Sequence, residues 1–236
     1  MSPSRSRRRS KRGRRRRGVV LSVAAVALLV GAAAGGYDYI ADLLPDSLQN
    51  GGSGTANQGV DADRARTQLE ELETGDSASM RGYSRDRFPH WRTVDGCDVR
   101  QTVLARDGED VETDDECRAV SGTWHSPFDG ETFTDPGEID IDHIVPLANA
   151  WRTGAADWDD ERRADFANDL DTPQLIAVSA SSNRAKGDQD PSQWQPPERG
   201  YWCRYAHDWI TVKHHWELRV TQEERDALDD MLDTCG

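Results

Sequence analysis

In the stretch 139-IDIDHIVPLANAW-151 two aspartates and a histidine, Asp140, Asp142 and His143, fall within four residues, just ahead of Pro146. These residue types suit proton transfer and the binding of hard cations, because an imidazole changes charge near neutral pH and carboxylates are oxygen ligands. Set in a run of isoleucines, they read as charge at the end of a buried strand. Strict strand alternation puts Glu138, Asp140 and Asp142 on one face and Ile139, Ile141 and His143 on the other. Asp142 and His143 can therefore serve one substrate only if the strand ends or bulges there, an ending that Pro146 favours. The pattern alone is weak: aspartates at strand ends usually make turns or cap helices, and a lone histidine is usually structural.

A second cluster strengthens it. The segment 179-SASSNRAKGDQDP-191 offers Asn183, Arg184 and Lys186 in a polar turn expected to open a helix. DIDHIVPL followed by SSNRAKGDQDP resembles the HNH nuclease motif, the ββα-metal finger also found in the nuclease domain of RNA-guided CRISPR effectors. The order of GYSRDRF, a cysteine segment, GTWHSPFDG, IDIDHIVPLANAW, TGAADW, SNRAKGDQDPSQWQPP and a late YWC…C tail is similar to small secreted bacterial HNH proteins related to the C-terminal domain of GmrSD restriction enzymes. The similarity covers most of residues 61–236.

The resemblance implies an α+β fold, with a ββα-metal (HNH, or His-Me finger) core at about 118–195, extra helices and two disulfides. It implies a metal-dependent endonuclease that hydrolyses phosphodiester bonds, of DNA in preference to RNA; independently of the resemblance, the chain is expected to be a monomer. His143 would be the general base, and Asp142 with the side-chain oxygen of Asn183 would hold one magnesium or manganese ion. Arg184 and Lys186 would contact the phosphate, and Asp140 would support the site or add a ligand. These types match the reaction, which needs an activated water and positive charge on the phosphate. Three departures from the family pattern stand out. Forty positions separate His143 from Asn183, so the TGAADWDDERRADFANDL portion is expected to be an insertion that folds aside. Asn168 is the candidate for the asparagine that braces the motif. The third histidine of HNH has no counterpart.

The N-terminus bears on location. Residues 1–18 contain nine arginines and Lys11 with no acidic residue, and an apolar run, VVLSVAAVALLVGAAAGG, follows to Gly36. That order is an export signal, with Ala32–Ala34 as a possible cleavage site, or an uncleaved anchor close to bilayer-spanning length. A basic nucleic-acid-binding tail has no use for the apolar run, and no fuller twin-arginine motif stands out. Residues 37–60 form a Gly-, Asn- and Ser-rich linker, and the folded domain is expected from 61 to 236. A membrane would be met only through the N-terminal segment, and the domain would be secreted or surface-tethered. The whole chain has a formal charge of −14, and without the N-terminal basic residues it reaches about −24, which repels polyanions at long range. Any nucleic acid must be held by a local basic patch or a bound cation.

Cys97, Cys117, Cys203 and Cys235 all follow the export segment, and an even count outside the cytoplasm reads as two disulfides. The local pairings 97–117 and 203–235 are expected; no close CxxC pair suggests zinc. Ala65, Leu69 and Leu72 lie at helical spacing, the middle of the 97–117 segment reads as an acidic loop, and 118–142 as a β-hairpin leading into the charged strand. Helices are expected at LANAW after Pro146 and at 156–170, and a strand at 174–178. Trp202, Tyr205, Trp209, Val212 and Trp216 mark a helical core face, and Thr221 with Glu224 caps a last helix. By the same spacing argument His214, His215 and the late aromatics are packing residues, while His90 and His125 offer no metal-ligand spacing. Arg81, Arg85 and Arg92, around Tyr83 and Phe88, are a candidate basic strip. The competing function is a non-catalytic extracellular binding module on a degenerate scaffold, from which the intact Asp142, His143 and Asn183 set distinguishes this chain.

Overall fold

The computed structural model describes residues 59–236; the basic segment, the apolar run and nearly all of the linker lie outside the described residues. Helix α1 (Ala62–Glu71) starts where Asp61 accepts a hydrogen bond from Arg64 N, and buries Ala65 and Leu69. Short strands β1 (Thr93–Val94) and β2 (Cys97–Asp98) pair antiparallel. Helix α2 (Val99–Asp107) and strand β3 (Gly108–Thr113) then occupy the segment expected as a loop. The apolar residues Val99, Val103 and Leu104 explain the difference: at i, i+4 and i+5 they form one helical face, with Asp98 as N-cap.

Strand β4 (Ala119–His125) pairs with β3 and with β5 (Thr132–Phe133), so the expected hairpin exists as β4–β5. It does not extend into the charged strand. That strand, β6 (Ile139–His143), pairs instead with β7 (Leu175–Ser179) in a separate two-stranded antiparallel sheet, in unbroken register from Ile139↔Ser179 to His143↔Leu175. Helix α3 (Leu147–Thr153) and helix α4 (Asp160–Ala167) lie between them in sequence, and α5 (Ala180–Lys186) follows β7 directly. Thus β6, β7 and α5 have the strand–strand–helix order expected of a ββα finger. The chain ends with α6 (Trp202–His215) and α7 (Gln222–Leu232), the latter with the expected Thr221/Glu224 capping box.

The β6–β7 sheet separates two apolar clusters. Ile139, Ile141, Leu175 and Ala177 pack with Val99, Val103, Leu104 and Trp124. Val178, Ile144 and Val145 belong to the larger core with Tyr205, Trp209, Leu228 and Met231. The isoleucines of IDIDH are thus one wall, and its aspartates point to the other side. Close approach shapes the first wall: Gly108 has no room for a Cβ, which would meet the Trp124 ring at 2.5 Å. Inside the larger core, Trp209 donates to Glu224 Oε1 at 2.6 Å and the Glu224 carboxylate pairs with fully buried Lys213 at 2.5 Å. This ion pair joins α6 to α7.

The disulfides are Cys97–Cys117 and Cys203–Cys235, with Cα separations of 5.6 and 5.0 Å. They bridge 20 and 32 positions of chain, for which the chain-entropy account gives about 3 and about 4 kcal/mol. Replacing both Cys203 and Cys235 by alanine is expected to lower unfolding free energy by about 4 kcal/mol in a urea titration. The unfolded, unreduced wild type should titrate no free thiol; four would refute the pairing.

Candidate active site

The last residue of β6 is His143, and its exposure is only 5%. Its Nε2 lies 3.0 Å from the carbonyl oxygen of Ala167, the last residue of α4. A carbonyl can only accept, so Nε2 carries the proton and Nδ1 the lone pair. Burial lowers the pKa of this imidazole to about 3; the Ala167 carbonyl opposes the shift, and the charges of Arg85, His90 and Lys186 add to it. At neutral pH the ring is therefore a neutral base in a fixed tautomer. The insertion accordingly does not fold aside as expected, because its α4 terminus supplies the partner of His143.

Two side chains brace this arrangement. Asn168 donates from Nδ2 to Pro89 O at 2.8 Å and to Ala164 O at 2.7 Å, and accepts from Arg92 N at 2.8 Å. It ties the end of α4 to the segment 89–92, whose Trp91 ring lies 5.7 Å from the His143 ring. Trp91 adopts a left-handed backbone, φ +64°, uncommon for a bulky residue. The chain beyond His143 is held by Gln174, fully buried, whose side chain accepts from Val145 N at 3.1 Å and donates to Val145 O at 3.0 Å. Gln174 has no signature in the sequence, since it recognises backbone alone. Asp129 also went unmarked in the sequence; its Oδ2 accepts from the hydroxyls of Ser179 and Ser182 and pins the β7–α5 junction. Partial burial raises the Asp129 pKa, but the hydrogen bonds from Ser179, Ser182 and Ser126 outweigh it and hold the carboxyl below its usual range.

Asp142 is also 5% exposed. Its Oδ2 lies 2.8 Å from Nζ of Lys186, at the end of α5, but makes no directed hydrogen bond; the ammonium donates instead to His143 O at 2.8 Å. Burial pushes Asp142 up and Lys186 down, and each charge opposes the shift in the other. Lys186, expected beside a phosphate, is fully buried and absent from the wall of the cleft described below. Asn183 sits one turn earlier on α5 and donates from Nδ2 to Asp140 Oδ2 at 3.2 Å. Asp140 thereby turns the amide so that its oxygen is free.

Asp142, His143, Asn183 and Arg184 line one cleft of about 330 Å³, together with Tyr83 and Arg85. The strand needs no bulge to bring Asp142 and His143 together; the cleft opens where β6 ends. Arg85, from the candidate basic strip, has one polar contact, Nε to His90 Nε2 at 3.4 Å. Neither Arg85 nor Arg184 has a carboxylate partner among the described residues, whereas Arg92 of the same strip pairs with Glu161 and Asp165. A larger cavity, about 460 Å³, lies near Arg106 and Arg204. Its guanidiniums are already paired with Asp107 and Asp208, so the smaller cleft is the better anion site.

No three His, Cys, Asp or Glu residues converge into a metal cluster among the described residues. The oxygen ligands on offer are the Asp142 carboxylate, whose buried Oδ2 has only the Lys186 ammonium beside it, and the Asn183 amide; Asp188, also on the wall, is paired with Arg152. That set suits a hard divalent cation that keeps several waters, and does not suit zinc.

These features define an α+β protein with an aspartate–histidine pair at a strand end and an asparagine on the helix that follows. The chain matches GmrSD restriction endonucleases, C-terminal domain, over residues 99–231, and it belongs to that family. A protein of the fungus Arthroderma benhamiae, described as an "Uncharacterized secreted protein", is 51% identical over 175 residues, spanning 74% of this chain and 86% of that protein. The relatives are thus not confined to bacteria. No solved structure matches the chain.

The buried imidazole has a measurable signature in metal-free protein. Its folded pKa lies below its unfolded value, so its contribution to stability is complete above pH 6.5 and is lost as the pH falls toward 3. At about 1.36 kcal/mol per pK unit the loss over that window is on the order of 5 kcal/mol. In chelator, His143→Asn is expected to take up about one proton fewer on unfolding between pH 6.5 and 4.5. Equal slopes in the two proteins would show that the ring is not held neutral.

Proposed function

We propose that the protein is an exported, metal-dependent endonuclease that hydrolyses phosphodiester bonds of DNA at the His143 cleft. The observation that carries this reading is the neutral imidazole, fixed through Nε2 by the Ala167 carbonyl, in one cleft with Asp142, Asn183 and two unpaired guanidiniums. Family membership supports nuclease chemistry, and the two disulfides accord with an oxidising compartment. The secreted relative points the same way. Among the described residues no helix is long and apolar enough to cross a membrane, so tethering would rest on the N-terminal segment.

In this mechanism Arg85 and Arg184 bind the nonbridging phosphate oxygens from the cleft walls. Nδ1 of His143 takes a proton from a water as its oxygen bonds to phosphorus and the bond to the departing sugar oxygen breaks. That oxygen takes its proton from solvent. The Ala167 carbonyl stabilises the imidazolium as it forms, and the negative phosphate favours it further. A magnesium or manganese ion held by Asp142 and Asn183 would supply positive charge to the phosphate and leaving oxygen when bound. Asp140 keeps the Asn183 oxygen directed at the cleft, and Lys186 keeps Asp142 in place.

The test is plasmid cleavage by residues 59–236 with magnesium, manganese or chelator. His143→Ala is expected to lose about 10²–10⁴-fold in rate while remaining folded, and Asp142→Asn and Asn183→Ala to raise the metal concentration required. A folded wild type that cuts under none of these conditions would leave the binding module as the better account. For duplex DNA, Arg85→Ala should weaken binding and reduce the slope of log affinity against log salt by about 0.9, the value for one lost phosphate contact. An unchanged slope would remove Arg85 from the interface.

A further inference from the structure

Asp142 faces two demands for its charge. Lys186 Nζ already stands 2.8 Å from its Oδ2 and cannot withdraw into water, because the lysine side chain is fully buried. On its far side lies the ring of Trp209, whose centroid is 6.0 Å from Nζ, and on that ring a second buried ammonium, Lys213, stands 5.7 Å away. Lys213 is held by Glu224 and by the Arg219 carbonyl, so it offers the first ammonium no route out. Lys186 and Asn183 are three apart on one helix and face the same strand. The helix that brings an amide oxygen to the cleft therefore also brings a fixed positive charge to the same carboxylate.

Two cations that share one carboxylate repel each other, and the repulsion is strong in a poorly solvated site. Resting on the assignment of Asp142 and Asn183 as metal ligands, we propose that Lys186 is a resident counter-ion that competes with the divalent cation for Asp142. It holds the carboxylate in position while the metal is absent, and it keeps metal affinity low until a negatively charged phosphate enters the cleft. Lys186 is on this account a positioning residue, and it sets when the metal is retained.

The experiment is calorimetric titration of Mn²⁺ into wild type, Lys186→Met and the neutral pair Asp142→Asn/Lys186→Met, without DNA, together with thermal unfolding in chelator and in excess Mn²⁺. Removing the competing charge should tighten Mn²⁺ binding in Lys186→Met by at least about tenfold. The same variant should melt lower than wild type in chelator and recover with Mn²⁺, and the double variant should lose the gain. Folding of Lys186→Met only when Mn²⁺ is present would equally support the proposal. Equal Mn²⁺ affinity in wild type and Lys186→Met would overturn it and leave the metal ligands standing. No Mn²⁺ binding by any variant would overturn both. Failure of Lys186→Met to fold with or without Mn²⁺ would identify the lysine as a packing strut and overturn the competition.

Discussion

A carboxylate and an ammonium buried against each other, Asp142 and Lys186, set the terms for everything around the cleft. Removing either charge from water is costly, and leaving one without the other typically costs about 3–5 kcal/mol. Helix α5 is therefore bound to strand β6 by more than apolar contact, and its position fixes where Asn183 and Arg184 stand. The ammonium's hydrogen bond to the carbonyl of His143 fastens that strand end to the same helix. Trp209 and the Lys213–Glu224 pair extend this polar spine to the last two helices. The C-terminal half of the fold is thus a housing for a charge placed beside the cleft.

The electrostatics of the whole chain and of the cleft run in opposite senses. With a formal charge of −14 the chain as a whole repels a polyanion, yet Arg85 and Arg184, the two guanidiniums on the wall of the cleft, make no ion pair among the described residues. Many arginines elsewhere are neutralised: Arg66, Arg92, Arg106, Arg118 and Arg162 each pair with a carboxylate. Such a surface gives little long-range attraction and a short-range preference for one place. It fits the proposed nuclease, which would hold the backbone of its substrate at the cleft.

The strand–strand–helix order, both disulfide pairings and most helices were legible because each leaves a local mark: alternation in IDIDH, helical spacing from Trp202 to Trp216, a capping pair at Thr221 and Glu224. Helix α2 was missed because its apolar face is only three residues inside an acidic segment. The site was half legible. Asp142, His143, Asn183 and Arg184 do line one cleft, but Lys186 looked like a surface cation, since sequence spacing says which face a residue takes and not how deeply that face is covered. Asn168 was singled out as a brace and does brace, at the end of α4. The staple over Val145 is Gln174, whose partners are backbone atoms and so carry no residue type to recognise.

The bond from Ala167 to His143 bears on how such a domain can change over evolutionary time. A finger of two strands and a helix looks like a transplantable module, into which loops of any length could be spliced between the strands. Here the splice returns to His143 and fixes its tautomer, so the last turn of α4 has become part of the cleft's support. The link between α3 and α4 is itself tied in, its Ala155 and Trp158 carbonyls accepting from Arg163, and the stretch from Ala167 to β7 is fixed at one end by His143 and at the other by the sheet. A lineage that shortened the insertion from its C-terminal end would keep every charged residue of the motif and still lose the group that holds the proton in place.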